Sequence, residues 1–114
     1  MKHILFKIQK GKEGAWKEWC SYLCKHHLEA KETMREENSV YERSIMYERN
    51  GDYFVVGTSQ FSDVPKKANL NVELNIKHQK AKEEFLGRAI AVFEGEFKLP
   101  PVYETLYSFD LREK

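Results

Sequence analysis

His78 and Glu42 are the residues of this chain best suited to chemistry on a small molecule. Asn75 reads as the N-cap of a helix, which makes His78 the third residue of that helix. The positive end of a helix dipole disfavours imidazolium, so the ring is expected to be neutral near physiological pH. A neutral imidazole can accept a proton or a ligand hydrogen bond. A Glu or Gln at position 78 would complete a capping box, so His78 is not there for simple capping. Glu42 lies mid-strand, beside Ser44 and opposite Ser59. On a face that lines a pocket, a carboxylate with hydroxyl neighbours can orient a substrate or act as a base. The expected arrangement is one cavity bordered by His78 and Glu42 as catalytic residues, with a tyrosine, around a small polar ligand. Tyr41, Tyr53, Tyr103 and Ser59 are the expected ligand-binding residues. The competing readings are a packed core histidine, a surface glutamate, and tyrosines serving strand propensity or an interface.

A second cluster is weaker. Cys20, Cys24 and His27 fall at i, i+4 and i+7 on one side of a helix, a soft set of donor atoms. The spacing lacks the CxxC knuckle of structural zinc sites and no further cluster supplies a fourth ligand. Small cysteines in a core stripe with Trp16, Trp19 and Leu23 are the preferred reading, and no metal is expected. No glycine-rich phosphate loop, serine elbow or HExxH motif occurs, and no cofactor is expected.

These residues sit in 114 residues, enough for one domain, 1–114, with a modest core. A hydrophobic fraction of 41% with 32% charged residues places the chain among globular proteins and excludes disorder. A formal charge of +1, from 19 Lys and Arg against 18 Asp and Glu, argues against a nucleic-acid partner. No stretch approaches the roughly 20 apolar residues of a membrane span, and the first residues lack the apolar core of a signal peptide. Two cysteines one helical turn apart do not make a secreted disulfide framework. A cytoplasmic protein without membrane contact is expected.

The elements that must position the chemistry are readable in outline. Residues 2–9 alternate as a strand, and 10–14 form a turn. A helix is expected from Ala15 to about Glu36, burying Trp16, Trp19, Cys20, Leu23, His27, Ala30 and Met34. Asn50-Gly51 joins two strand-like runs as a type I′ hairpin, pairing Arg49 with Asp52, Tyr47 with Phe54 and Ile45 with Val56. Residues 62–75 read as an extended loop leading into a helix, with a short edge strand through the alternating Leu70, Val72 and Leu74 as the alternative. A second helix is expected from about Ile76 to Phe93, tolerating Gly87, and a last strand over 102–111. The order is β-α-β-β-α-β. The expected fold is therefore α+β and ferredoxin-like, a four-stranded antiparallel sheet with both helices on one face.

Two helices cover one face of such a sheet, and the other would meet water. Neither hairpin face is polar throughout: Ile45, Tyr47, Phe54 and Val56 share one, Met46, Tyr53, Val55 and Phe61 the other. A symmetric homodimer, sheet against sheet, is the expected solution, and a monomer with residues 62–75 folded over the sheet is the alternative.

The βαββαβ order with this two-faced sheet resembles the dimeric α/β-barrel superfamily, whose subunits pair through their sheets. Within it, the stretch from Tyr41-Glu42 through the Asn50-Gly51 hairpin, then Asn75-Ile76-Lys77-His78, is similar to a bacterial domain-of-unknown-function family of about this length. The superfamily includes small cofactor-free monooxygenases, haem-degrading enzymes, sugar mutarotases and plain ligand binders. The resemblance thus implies a pocket between helices and sheet and leaves the chemistry open. A ligand binder or cofactor-independent enzyme is one expectation, a non-catalytic dimeric interaction or regulatory module another. A mutarotase-like pair at Tyr22 and His26 is a minor third.

Overall fold

The computed structural model describes residues 1–112. Strand β1 spans Lys2–Lys7, followed by helices α1 (Glu13–Lys25) and α2 (His27–Glu36). Strands β2 (Ser39–Arg49) and β3 (Asp52–Phe61) form the hairpin. Helix α3 (Glu73–Ala81) runs into a single π-helical turn, Lys82–Leu86, and strands β4 (Ala89–Glu94) and β5 (Glu104–Asp110) complete the chain.

The hairpin has the expected register, with Arg49 opposite Asp52, Tyr47 opposite Phe54 and Ile45 opposite Val56. Asn50 and Gly51 have φ of +55° and +84°, the two left-handed residues of a type I′ turn. Open space surrounds the position a Cβ would take at Gly51, so a substitution there meets only backbone strain. Gly51→Val is expected to cost about 1 kcal/mol or more, measured by urea unfolding, because a β-branched residue resists φ > 0. An unchanged midpoint would show that the turn tolerates another geometry.

The sheet itself corrects the expectation. It has five antiparallel strands in the order β4-β1-β3-β2-β5, not the four of a ferredoxin-like βαββαβ sheet, and three α-helices rather than two. The barrel built by pairing four-stranded sheets falls with it. Two local events account for the difference. The helix expected over Ile76–Phe93 stops early: Gly87 takes φ +69°, and Ala89–Glu94 then pairs along β1, with Ile4 opposite Val92 and His3 opposite Phe93. The last strand pairs with β2, placing Ser44 opposite Tyr107 and Glu42 opposite Phe109. The long first helix is also broken, at His26, whose backbone leaves helical values and whose ring packs tilted against Tyr22 with centroids 4.2 Å apart. His27, past that break, is exposed rather than in the buried stripe.

Helices and sheet bury one layer between them. Trp16 and Cys20 of α1 pack with Ile8, Met46, Val55 and Leu86. Leu23, Ala30 and Met34 pack with Leu74 and Phe109. Burial in this layer pushes the Cys20 thiol far above its ordinary range, so it behaves as a core residue. Cys24 is exposed, its sulfur 3.4 Å from the Leu106 carbonyl. No group of three or more His, Cys, Asp or Glu among the described residues is arranged to hold a metal. Among the described residues no helix is long and apolar enough to cross a membrane.

The chain itself covers part of the second sheet face, at its His3 end. Strands β4 and β5 are opposite edges, so residues 95–103 must cross the sheet. Phe97 of this crossing lies 5.5 Å from the His3 ring, and His3 Nε2 is 2.9 Å from the Gly95 carbonyl. Ile45 and Val56, whose exposure motivated a sheet-to-sheet dimer, are fully buried within the single chain. Residues 62–72 lie elsewhere: the Lys66 amide donates to the Glu37 carbonyl, at the end of α2.

Candidate functional site

Period-two alternation in β2 sends Glu42, Ser44 and Met46 toward the helices and Tyr41, Arg43 and Ile45 away. Glu42 therefore emerges under the helical layer, flanked on neighbouring strands by Ser59 and Phe109. A cavity of about 430 Å³ opens there, a size typical of small-molecule sites. Leu23, Met34, Leu74 and Phe109 supply apolar wall, and the exposed Ala68, Gln79 and Glu83 stand at its rim. A second compartment of about 120 Å³ adjoins it. Phe6, Glu42, His78, Lys82 and Tyr107 line both, so they form the partition where the two meet.

The electrostatics of the partition follow from burial. Desolvation is the main cause that raises the Glu42 carboxyl from 4.5 to about 7; the charge of Glu37 adds to it, and Lys82 opposes it. Glu37 is also raised, first by burial and then by Glu36, with Lys82 again opposing. Burial likewise lowers His78 from 6.5 to about 3, assisted by the positive charge of Lys82. Tyr107 is held well above its usual range by burial and by Glu42. The neighbourhood thus holds a carboxyl poised between its two forms, a neutral imidazole and a neutral phenol.

The imidazole is fixed in one tautomer. Trp19 donates its indole N–H to His78 Nδ1 at 2.8 Å. Nδ1 is therefore the acceptor, and the ring proton of the neutral form sits on Nε2. Trp16 and Trp19 pack beside the ring with centroids at 6.4 and 5.8 Å. Among the described residues His78 Nε2 has no hydrogen-bond partner.

The reason for neutrality differs from the expected one. Helix α3 begins at Glu73 with Val72 as its cap, so His78 lies in the second turn, toward the C-terminal end. The dipole there would favour imidazolium; burial and Lys82 override it. Asn75 is inside the helix and donates its side-chain amide to the Asn69 carbonyl at 3.0 Å, holding the preceding loop.

The other expected residues scatter. Ser59 lines the smaller compartment. Tyr41 points to the opposite face, under the Arg112 guanidinium at 4.6 Å. Tyr53 packs against the core beside α1, and Tyr103 is exposed ahead of β5. Neither borders the cavity. Tyr22 and His26 pack against each other, rings tilted, outside it. The tyrosine in the partition is Tyr107, and Lys82 is its cation; neither was singled out as a site residue. Tyr107 could be found only by knowing that β5 pairs with β2. Lys82 is the first residue of the π turn, a feature frequent at functional sites.

No characterised protein and no solved structure shows significant similarity to the chain. A family model described as "Family of unknown function (DUF6176)" matches residues 1–104, nearly the whole chain, and the protein belongs to that family.

Proposed function

We propose that the protein binds a small molecule with an apolar body and one polar head in the cavity between helices and sheet, and that Glu42 exchanges a proton with it, as a cofactor-independent enzyme would. The observation that carries this reading is a carboxyl pushed to about 7 in the wall of a 430 Å³ cavity, beside a neutral imidazole. A group titrating near neutrality can serve as base and then as acid in one cycle. The apolar wall suits the body of the ligand, and the partition suits its head. Two unbonded thiols, Cys20 and Cys24, go with a reducing, cytoplasmic setting.

A fragment screen by ligand-observed NMR tests the reading. Fragments are expected to bind the parent and to be lost from Ala30→Phe, which places a ring in the main compartment. Circular dichroism confirms that the variant is folded. Fragments that bind both proteins equally, or no binding at millimolar concentration, would remove the cavity as the site.

A further inference from the structure

The polar groups of the partition differ in what they can give. His78 has a single free ring atom, Nε2, and that atom carries the proton, because Trp19 occupies Nδ1. His78 is thereby a donor and not a base. Lys82, in the same partition, is a second donor and a positive charge. Glu42 is the group there that can take a proton in its ionised form. Glu37 and Glu83 line only the main compartment, so at the partition Glu42 is the carboxylate, with the His78 and Tyr107 donors and the Lys82 cation beside it; such a set has the parts needed to remove a proton from carbon while charge develops on an adjoining oxygen.

We infer that, granted the ligand reading just given, the cavity takes an enolisable carbonyl compound, with Glu42 removing a proton from the carbon beside the carbonyl and His78 Nε2–H holding the carbonyl oxygen. In that step the C–H bond breaks and the proton passes to a Glu42 carboxylate oxygen. The bonding pair forms a carbon–carbon double bond, and the carbonyl π pair moves onto oxygen. The oxyanion is met by His78 Nε2–H and the charge of Lys82. Where a β,γ double bond makes the enolate a dienolate, return of the same proton from Glu42 to the γ-carbon, with the oxyanion pair re-forming the carbonyl, gives the conjugated isomer, so no oxidant, reductant or second substrate is consumed. A neutral imidazole suits this donor role, since it matches the developing enol more closely than imidazolium would.

Substituted phenols are planar enolate mimics and serve as the probe. 4-Nitrophenol reports its own ionisation by visible absorbance. The parent is expected to bind it as the phenolate, with affinity rising through a series of more acidic phenols. Glu42→Gln imitates the protonated carboxyl present in the enolate complex. Above pH 7 it is expected to bind the phenolate about tenfold or more tightly than the parent, whose ionised Glu42 repels the anion. His78→Phe keeps the ring volume but removes the donor, and is expected to lose about tenfold or more. Should that variant not fold, the parent alone decides: in histidine-labelled protein the His78 Nε2–H resonance must move strongly downfield on phenolate binding and leave Nδ1 unprotonated. Binding of neutral phenol, indifferent to Glu42→Gln and without movement of Nε2–H, would overturn this assignment and leave a ligand cavity. No phenol binding to the parent or to Glu42→Gln would overturn both.

Discussion

A Glu42→Gln protein is expected to gain stability on its parent as the pH rises from 4.5 to 7. The folded carboxyl titrates near 7 and the unfolded one near 4.5, so the folded state holds this proton more tightly. The stabilisation from the bound proton is complete below 4.5 and is lost as pH rises through 7. Glutamine mimics the protonated form and loses nothing. The difference between the two proteins should grow by about 1.4 kcal/mol per pH unit across this window, to about 3 kcal/mol. Urea unfolding at closely spaced pH values reads it. Glu37, also raised by burial, is present in both proteins and drops out of the difference to first order. A difference independent of pH would mean that Glu42 ionises without cost, as a solvated residue does, and would remove it as a proton carrier.

His78→Gln should show the opposite slope. The folded ring resists protonation down to about 3, whereas the unfolded ring takes a proton near 6.5. The parent therefore has the full benefit of the neutral ring above 6.5 and loses it as pH falls from 6.5 toward 3. The variant has no ring to protonate, and its amide oxygen can still accept the Trp19 N–H. It should gain on the parent by about 1.4 kcal/mol per pH unit as pH falls through that window. Between 4.5 and 6.5 the two groups act in opposite directions in the parent, so its stability should be flatter there than that of either variant. Parallel stability curves for parent and His78→Gln would show that the imidazole is solvated. That result would withdraw the fixed donor on which the oxyanion role depends.

Both experiments concern groups whose chemistry was readable in the sequence but whose surroundings were not. Glu42 and His78 stood out as a carboxylate among hydroxyls on a strand and an imidazole on a helix. Their meeting in one partition needed the sheet face that receives the helices. The alternation of β2 divides Glu42, Ser44 and Met46 from Tyr41, Arg43 and Ile45, yet it does not say which set is covered. The neutral state of His78 read from the sequence depends on where the helix begins: moving the cap three residues, from Asn75 to Val72, takes the ring out of the first turn. What keeps it neutral is burial and the charge of Lys82, and Trp16 and Trp19, which pack beside the ring, are remote in the chain.

The hairpin is the part of the fold that the sequence determined by itself. An Asn-Gly turn needs only its own backbone angles, and a two-residue loop leaves a single register, so Ile45 meets Val56 whatever the rest of the chain does. The core stripe of the first helix, Trp16, Cys20 and Leu23, is likewise local periodicity. Tertiary structure alone decided the fate of Ala89–Glu94. Ala-Ile-Ala-Val-Phe-Glu is apolar at both helical and strand spacing, and Gly87 can either sit in a helix or end one. The open edge of β1 settled the choice, because its N–H and C=O groups gain partners only if these residues extend. With β4 on that edge, β5 was left the edge of β2, and the connection between them had to cross the sheet, where Phe97 meets the His3 ring. The same pairing turned Tyr107 into the partition beside Glu42. Pairings between residues distant in sequence leave no local pattern, since their free energy is realised only when both strands are already in place.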